Sequence, residues 1–290
     1  MKHPFVSIIV PVYNGEKTIA QCIESLLTQS YPKDKYKILV IDNNSKDKTA
    51  EIIKSFPVKY LSEKEIQSSY AARNKGIRHA KGKILAFIDA DCIASKNWLK
   101  NAVEKFKDNS IGCVAGEVKS YKPQNYVENY LASKNDLSPK FSEYLPYPKT
   151  ANAFYRKQVF DKIGLFEEQW VSGGDADIAW RMQLQTKYKV KFAPNAIVYH
   201  KHRSNLWSMF KQCLTWGRGN AALHRKYEEK NIMKKQNFRQ KFWTYKTIVF
   251  SIPKIIYFLF ANKEKMNITA REKYLDLITW VGWEIGRIVG

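Results

Sequence analysis

The chain has 290 residues, of which 44% are hydrophobic and 26% are charged. This apolar fraction is ordinary for a globular protein and excludes a wholly disordered chain, and the 13 Gly and 10 Pro exclude collagen-like and low-complexity sequences. The length suits one large α/β domain, or a domain of roughly 200 residues with an appendage. The four cysteines lack the paired spacing of a zinc site and are predicted to be reduced thiols.

Positive charge is the most unusual property of the composition. Lys and Arg number 49 against 27 Asp and Glu, which gives a formal net charge of +22. Residues 201–290 contain 18 Lys and Arg and 6 Asp and Glu, so this part is the more basic one. Long apolar runs occur in the same part. Basic and apolar residues together favour an anionic membrane surface at least as much as nucleic acid.

Short apolar runs alternate with amphipathic segments from the N-terminus onward. The run at residues 6–10 is predicted to be a buried parallel strand that Pro11 ends, and it is too short for the core of a signal peptide, so we expect the first domain in the cytoplasm. The next predicted elements are a helix after Gly15, a strand at 36–41, a helix at 48–56, a strand at 58–61, a helix at 71–80 and a strand at 83–88. This alternation predicts an α/β fold with a mostly parallel sheet flanked by helices.

The remaining chain divides into three stretches. Residues 121–150 lack clear periodicity and are predicted to form a long loop or irregular helix over the site. A second α/β stretch is expected at 151–200. From Asn205 onward the pattern predicts helices rich in aromatic and basic residues.

Polar residues follow the carboxyl ends of three predicted strands. Tyr13 and Asn14 follow the first strand, Asp42 ends the second, and Asp89 and Asp91 follow the fourth. Ligands of open α/β sheets bind at that edge, so the three groups predict a single site.

The positions of the acidic residues at this edge indicate what each could bind. If the chain stays extended, Asp89 and Asp91 point to the same side, and two carboxylates suit Mg²⁺ or Mn²⁺. A solvated loop with two acids is the alternative. Asp42 ends a buried strand, where an unpaired carboxylate is costly, and it can accept the ring N–H of a pyrimidine or guanine base. Turn formation or helix capping accounts for Ser45 and Asp47.

Six pieces of the sequence resemble, in order, those of the family 2 glycosyltransferases, which have the GT-A fold. The pieces are VSIIVPVYN (6–14), IDNNSKDKT (41–49), ARNKG (72–76), FIDADC (87–92), TANAFYRKQVFDKIGLFEE (150–168) and GGDADIAWR (173–181). Each piece is weak alone, whereas six in order are specific. The resemblance covers roughly residues 5–220. It implies a Rossmann-like GT-A catalytic domain at 1–220, followed by a helical C-terminal region at 221–290.

The resemblance also implies roles for residues on the donor side. The loop that receives the base and ribose is matched by Pro11, Tyr13 and Asn14, with Tyr13 packing on the base. Asp42 matches the acid that hydrogen-bonds to the base edge. Arg73 and Lys75 are both expected to flank the nucleotide, and Arg73 is the stronger candidate for a direct contact.

A divalent ion is implied beside the diphosphate. Asp89 would meet the ribose, or the ion through water, and Asp91 would bind the Mg²⁺ or Mn²⁺ itself. His200 is a candidate third ligand, with a packing or surface role as the alternative. His202 can face the same way as His200 on a strand, and His202 and Arg203 are weaker candidates for contacts with the diphosphate.

Asp175 matches the catalytic base of the family. An inverting transfer needs a carboxylate opposite the leaving diphosphate to take the acceptor hydroxyl's proton, which contributes roughly 10²–10⁴-fold. The family usually has Glu-Asp where this chain has Gly174 and Asp175, so any helper role of the preceding acid is in doubt. For Asp177 and Arg181 we favour a helix N-terminus with an ion pair at i+4.

The acceptor side is marked by weaker signals. Thr150 and Asn152 are expected to hydrogen-bond sugar hydroxyls, with ordinary loop polarity as the alternative. The stretch QCLTWGRG (212–219), which contains Arg218, predicts either a flexible loop that closes over the site or a helix C-cap at Gly217 or Gly219.

The basic aromatic tail is predicted to lie on an anionic membrane. Residues 247–261 are the most apolar run, but they are fewer than the ~20 residues that a span needs, and Pro253 and Lys254 interrupt them. A second apolar stretch lies at 278–289. The alternative is a helical hairpin that packs on the catalytic domain or forms a homodimer contact. Basic and aromatic residues precede the first run: Lys234, Lys235, Arg239, Lys241, Phe242, Trp243, Tyr245 and Lys246.

The leading prediction is a metal-dependent inverting glycosyltransferase at the inner face of the cell membrane. It would move a sugar from a nucleotide-diphosphate sugar, with UDP favoured, to a hydroxyl of a glycan or lipid-linked acceptor in cell-surface polysaccharide or glycoconjugate synthesis. A nucleotidyltransferase predicts a Gly-rich loop where this chain has PVYNGEKT. A nucleic-acid-binding protein would explain the charge, but no motif for nucleic acid is recognisable. An inactive protein of the same fold is a further alternative because the preceding Glu is missing.

Overall fold

The computed structural model describes residues 3–134, 145–228, 238–261 and 266–290. The chain forms two compact units. The first consists of Met1–Lys122, Asn135–Trp170 and Gly174–Lys201, and the second of Pro123–Lys134, Val171–Gly173 and His202–Gly290. The predicted boundary at residue 220 lies within a helix, Leu206–Tyr227, and the assignment of 1–220 and 221–290 to separate tasks stays a prediction.

Within the described residues, eight strands form one sheet in the first unit. They are β1 Val6–Val12, β2 Tyr36–Asp42, β3 Lys59–Ser62, β4 Ile84–Ile88, β5 Cys92–Ala94, β6 Ile111–Ser120, β7 Asn152–Arg156 and β8 Lys189–His200. Their order is β3-β2-β1-β4-β7-β6-β8-β5. The first four strands pair in parallel, as do β6 and β8, whereas β7 and β5 pair antiparallel to their neighbours. The predicted mostly parallel α/β sheet is confirmed.

Ten α-helices lie in the described residues. They are α1 Ile19–Leu27, α2 Thr49–Lys54, α3 Ser69–His79, α4 Trp98–Glu104, α5 Tyr126–Lys134, α6 Lys157–Ile163, α7 Gly174–Gln185, α8 Leu206–Tyr227, α9 Phe238–Phe260 and α10 Ile268–Val289. Helices α5, α8, α9 and α10 belong to the second unit. The predicted loop over 121–150 therefore contains helix α5, and its residues 135–144 lie outside the described part of the chain.

Two apolar layers hold the sheet between helices because side chains alternate along each strand. In β1, Ile8 and Val10 face the layer that contains Ile23 of α1. Ile9 faces the opposite layer, which contains Ile77 of α3. All of these side chains are fully or almost fully buried. The continuous apolar runs of the sequence therefore correspond to strands covered on both faces.

The prediction that Pro11 ends the first strand is wrong. β1 continues to Val12, and Pro11 pairs with Ile41 of β2 in the parallel register. A proline lacks the N–H that a neighbouring strand would bind. On its other side β1 pairs with β4 only as far as Ile9, so the missing N–H interrupts no paired part of that ladder.

The second unit contains a close contact between two helices, α8 and α10. A Cβ on Gly217 of α8 would overlap the carbonyl oxygen of Trp283, and one on Gly286 of α10 would overlap that of Leu214. Gly217 lies inside a continuous helix, as does Gly219, so neither the predicted loop nor the predicted C-cap forms there. The physical reason for Gly217 is tertiary packing, because Gly217 and Gly286 let the backbones of α8 and α10 approach each other.

Helix α9 exposes much of its apolar surface. Phe258 is buried and stacks on Tyr274 of α10, with ring centroids 5.1 Å apart. Pro253 lies inside the helix. In the part of the chain that the structure describes, no helix combines the length and hydropathy needed to cross a membrane. The large exposed apolar side chains of α9 are Phe242, Trp243, Tyr245, Val249, Phe250, Ile252, Ile256, Tyr257, Leu259 and Phe260.

The four cysteines, Cys22, Cys92, Cys113 and Cys213, are free thiols, and all four are buried. Burial raises the pKa of the Cys22 and Cys113 thiols above the ordinary value. These thiols therefore stay protonated at neutral pH.

The glycine contact predicts a position-dependent cost of adding one methyl group in α10. Gly286→Ala should lower the free energy of unfolding by roughly 1–3 kcal/mol or more, because its Cβ meets backbone that must shift. Gly282→Ala is the matched control, since its Cβ would lie 3.0 Å from the ring and 3.2 Å from the carbonyl oxygen of Phe210, contacts that a small shift relieves. Both changes improve helix propensity equally. Urea unfolding of both variants measures the difference, and equal stabilities would contradict the close contact.

Candidate functional site

The carboxyl ends of β1 and β2 lie side by side. Val12 pairs with Asp42, and the next residue, Asn43, donates its N–H to the Val12 carbonyl at 2.8 Å. Asp42 is the last residue of β2 and is buried, as the sequence predicts for a carboxylate at a strand end. One of its oxygens accepts the N–H of Ser45 at 3.0 Å, and the other accepts the hydroxyl of Tyr60 at 3.2 Å. A carboxylate oxygen has a second lone pair, so both can accept a further hydrogen bond.

The loop after β1 is tied to the loop after β2. Asn14 adopts a positive φ of 48°, which asparagine tolerates better than most residues. Its N–H donates to the Ser45 hydroxyl at 2.9 Å, and its side-chain oxygen accepts the N–H of Lys46 at 2.8 Å. The Tyr13 ring is 52% exposed beside this junction. Asn14 therefore shapes the loop, whereas Tyr13 offers a free aromatic face.

Asp89 and Asp91 do not lie on an extended segment. β4 ends at Ile88, and a turn closed by the bond from the Cys92 N–H to the Asp89 carbonyl, at 3.0 Å, leads into β5. The expectation that both carboxylates share one side of a strand is wrong. Asp89 contacts Arg73 at 2.6 Å, and Asp91 lies 3.5 Å from Nε2 of His200. The turn directs the two acids to different partners.

Arg73 is buried on α3 with one hydrogen-bonding group unused. Its two terminal nitrogens bind the Ser69 hydroxyl and the Asp89 carboxylate. Among the described residues, no protein atom accepts the buried Nε–H of Arg73. Removal from water raises the pKa of Asp89, against the opposing charge of Arg73 and with added repulsion from Asp91. Lys75, the weaker candidate, instead pairs with Glu63 at 3.3 Å.

Asp91 and His200 form a candidate metal centre. Ligand atoms of Asp91, Cys92 and His200 all lie within 4.8 Å of one another. The 3.5 Å between the Asp91 oxygen and the His200 nitrogen suits two ligands that bind one ion at about 2.0–2.2 Å. Mg²⁺ and Mn²⁺ are hard ions that prefer oxygen and imidazole donors to a thiol, so the carboxylate and the imidazole are the ligands that suit them.

The position of His200 follows from strand pairing. His200 is the last residue of β8 and pairs with Cys92 of β5, which brings it next to Asp91. Because β8 ends there, the expected same-side placement of His202 on a strand is wrong. His202, Arg203 and Arg218 belong to the second unit. The contacts of His202 and Arg203 with a diphosphate stay a prediction, as does a role of Arg218 on the acceptor side.

Asp175 lies in the first turn of α7 and is half-buried, with one oxygen accepting the N–H of Ala176 at 3.0 Å. The residues after it are structural. Asp177 is fully buried and pairs with Arg181 at 2.8 Å, one helical turn later, as predicted. Arg181 also binds the carbonyls of Ile163 and Leu165. This ion pair leaves Asp175 as the half-buried acid of the helix N-terminus that has no cationic partner within α7.

Asn152 does not present its amide to an acceptor. It is buried, donates both of its N–H groups to the carbonyls of Glu117 and Ala196 at 2.8 Å each, and accepts the indole N–H of Trp98 at 2.8 Å. The expected role for Asn152 is therefore wrong, because all three groups serve the core. Thr150 is also buried, and its acceptor role stays a prediction.

The segment that precedes β7 is fixed to α7. The Trp180 indole donates to the carbonyl of Leu145, and the Gln183 amide donates to that of Pro146, both at 2.8 Å. The Tyr147 ring packs edge-on against Trp180, with centroids 5.9 Å apart. Residues 145–147 are thus packed against the helix that carries Asp175.

The sequence did not indicate two tyrosines of this region. Tyr60 binds Asp42, and the Tyr70 hydroxyl accepts the N–H of Gly174 at 2.9 Å. Each contact joins residues far apart in the chain, so no local spacing marks it. For Tyr70 the one available signal is Gly174 itself, a glycine where the resembling family has an acid.

The chain is similar in sequence to known glycosyltransferases. The family described as "Glycosyl transferase family 2" matches residues 7–164. Glycosyltransferase AglE of Haloferax volcanii is 37% identical over 208 residues, covering 69% of this chain and 68% of that protein. A dolichyl N-acetyl-alpha-D-glucosaminyl phosphate 3-beta-D-2,3-diacetamido-2,3-dideoxy-beta-D-glucuronosyltransferase of Methanococcus voltae is 25% identical over 249 residues, covering 77% of this chain and 74% of that protein.

A solved structure shares the fold. The mannosyltransferase PcManGT from Pyrobaculum calidifontis, in complex with GDP-Man and Mn²⁺, superposes with a TM-score of 0.67 at 18% sequence identity. The match covers 99% of this chain and 86% of the other. The predicted GT-A fold is thereby confirmed.

Proposed function

Because the chain belongs to glycosyl transferase family 2, we propose that it is an inverting enzyme that transfers a sugar from a nucleotide-diphosphate sugar to a hydroxyl of a glycan or lipid-linked acceptor. One observation carries the proposal. At the carboxyl edge of the sheet, a buried carboxylate, Asp42, accompanies an arginine–aspartate pair and an aspartate–histidine pair. These groups suit a base, a ribose diphosphate and a cation.

The donor would occupy the edge formed by β1, β2 and β4. Asp42 can accept the ring N–H of uracil with its remaining lone pairs, and the exposed Tyr13 ring can pack on the base. A buried N–H without an acceptor is costly, so an oxygen of the bound donor next to Arg73 Nε would remove that cost. We assign uridine as the base, and GDP and dTDP sugars are the alternatives that the experiment separates.

Asp91 and His200 would hold a divalent ion, Mg²⁺ or Mn²⁺. Bound there, the ion would supply positive charge beside the diphosphate. The chain's own part is to fix the two ligands. His200 is held by the pairing of β8 with β5, and Asp91 is held by the turn that precedes β5.

Asp175 is the proposed general base. As an acid in the first turn of α7, it would take the acceptor hydroxyl's proton while that oxygen attacks the sugar carbon. The carboxylate of Asp177 is paired with Arg181, so of the two acids in the first turn of α7 we assign Asp175 to the substrate. The names of relatives support a lipid-linked acceptor, because the Methanococcus voltae enzyme is named for a dolichyl phosphate sugar.

A lipid-linked acceptor is consistent with membrane binding by α9. The helix carries exposed aromatic and aliphatic side chains, Lys246 lies over the rings of Trp243 and Phe250 at 4.8 and 5.8 Å, and no Asp or Glu occurs between residues 238 and 260. Exposed apolar area with purely positive charge complements an anionic leaflet. We therefore propose peripheral binding to the inner face of the cell membrane. Arg239 and Lys241 lie in α9 but their side chains, with Lys234 and Lys235, are outside the described part.

The central experiment is a donor screen with an Asp175→Asn variant. The wild-type enzyme should release UDP and extend an acceptor when given a UDP-sugar, and GDP- and dTDP-sugars serve as the competing donors. Asp175→Asn should lower transfer by about 10²–10⁴-fold, because the amide cannot accept the proton, while UDP affinity changes little. Asp161→Asn, an exposed acid on α6, is the matched control. Transfer at the wild-type rate by Asp175→Asn would refute the base assignment.

The metal assignment predicts a loss of ion binding that does not depend on activity. Asp91→Ala should weaken Mn²⁺ binding in the presence of UDP by at least about 10–100-fold. A loss of this size is typical even for residues that only hydrogen-bond to a metal ligand, and Asp91 is proposed to be a ligand itself. Electron paramagnetic resonance of free Mn²⁺ measures this directly. Asp161→Ala should bind Mn²⁺ as the wild type does. An unaltered Mn²⁺ affinity in Asp91→Ala would show that Asp91 is not a ligand of the ion.

The membrane proposal predicts that apolar side chains of α9 drive vesicle binding. Phe250→Ser/Tyr257→Ser should reduce cosedimentation with phosphatidylglycerol vesicles at least about tenfold, since one buried large side chain contributes roughly 1.5–3 kcal/mol. Val171→Ser/Leu184→Ser removes two exposed apolar side chains outside α9 and should bind as the wild type does. Equal sedimentation of both double variants, or equal binding to neutral vesicles, would argue against the proposal.

A further inference from the structure

We propose that Tyr70 is a positioning residue that sets Asp175 for catalysis by packing on, and hydrogen-bonding to, the glycine that precedes it. The inference rests on the proposed function, in which Asp175 is the general base. Three independent contacts of the Tyr70 side chain support it.

The Tyr70 ring is held in one place. It is buried, with 5% of its surface exposed, and it stacks on Phe166 with centroids 5.4 Å apart and planes 13° apart. The guanidinium of Arg73 lies 5.5 Å from the ring centroid. Phe166 in turn packs edge-on against Phe87 of β4, at 5.8 Å. The ring is therefore fixed relative to the central strand of the sheet.

The fixed ring explains why position 174 lacks a side chain. A Cβ on Gly174 would lie 2.7 Å from both Cε1 and Cζ of Tyr70, a separation that real Cβ atoms do not show. The first residue of α7 thus touches the ring directly through its backbone. A glutamate here would require the tyrosine to leave, so Tyr70 and Gly174 form one matched pair.

The hydroxyl of Tyr70 holds the start of α7. The first N–H groups of a helix have no acceptor within the helix. Tyr70 accepts the N–H of Gly174 at 2.9 Å, and Asp175 is the next residue. Burial raises the pKa of Tyr70, and the nearby Asp175 carboxylate adds to this effect, so the hydroxyl stays neutral. The contact fixes the helix turn from which the proposed base projects.

The same helix, α3, reaches the donor edge. Arg73 lies three residues after Tyr70 and binds Asp89 at 2.6 Å. One turn of α3 therefore contacts both Asp89, the acid beside the proposed donor, and the backbone of Gly174, which precedes the proposed general base. The distance between the donor and Asp175 is therefore set by α3, which is a rigid element. A fixed distance keeps the reacting groups in one productive geometry.

The test separates positioning from stability. Tyr70→Phe removes only the oxygen that accepts the Gly174 N–H, and it should lower kcat for sugar transfer by about tenfold or more, since small misplacements of reacting groups are costly. The KM for the donor and UDP affinity should stay within about twofold. Tyr31→Phe is the matched control, because Tyr31 is also buried but its hydroxyl donates to the carbonyl of Pro4 and its ring lies in the apolar layer on the other face of the sheet. It should keep the wild-type kcat.

A second pair of variants tests the steric contact. Gly174→Ala should lower kcat when Tyr70 is present, because the added methyl group meets the ring. In a Tyr70→Ala background the same change should alter kcat less than about twofold, which is the coupling expected of residues in contact. Assays are run well below the unfolding temperature of each variant. Equal effects of Gly174→Ala in the two backgrounds would overturn the pairing.

The outcomes distinguish this inference from the function on which it rests. If the wild-type enzyme transfers no sugar from any nucleotide donor, the proposed function fails and the inference fails with it. If the wild type is active and Tyr70→Phe keeps its kcat as Tyr31→Phe does, the positioning role alone is overturned. A Tyr70→Phe variant that loses UDP affinity in proportion to kcat also overturns it.

Discussion

A guanidinium buried away from water needs a compensating carboxylate, and Arg73 of α3 has one in Asp89, the residue that follows β4. The guanidinium is 5% exposed and lies 2.6 Å from the carboxylate. An uncompensated charge at such a site would cost several kcal/mol. The pair joins α3 to the end of β4, and from these two elements the chain reaches Tyr70, Gly174 and the turn before β5. The site is therefore arranged around an ion pair.

Much of the fold follows from local pattern. The runs that predict β2, β3 and β4 lie within one residue of the observed strands at every end. For β2 and β4 the reason is that strands covered on both faces need continuous apolar sequence. Asp42 was predictable as a strand-end carboxylate for the same reason. The edge of the sheet that carries polar side chains could also be anticipated, since parallel strands place their carboxyl ends together.

What the sequence could not supply are contacts between distant residues. Asn152 looked like a loop residue with free hydrogen-bonding groups, yet Trp98 and two carbonyls use all of them. Gly217 looked like a helix end, yet it lies where the backbone of α10 approaches. In both cases a local preference was overridden by tertiary packing. Arg73 and Lys75 show the same limit, because only the fold decides which of two nearby cations meets Asp89 and which meets Glu63.

The burial of every native cysteine has a practical consequence for spectroscopy. With all four thiols buried, and burial holding at least those of Cys22, Cys92 and Cys113 in the protonated form, the folded chain presents little thiolate to a maleimide or methanethiosulfonate reagent. A single cysteine introduced on the exposed face of α9 would then be the preferred point of attachment for a fluorophore or spin label. The native background already provides the selectivity that such labelling ordinarily obtains by removing cysteines.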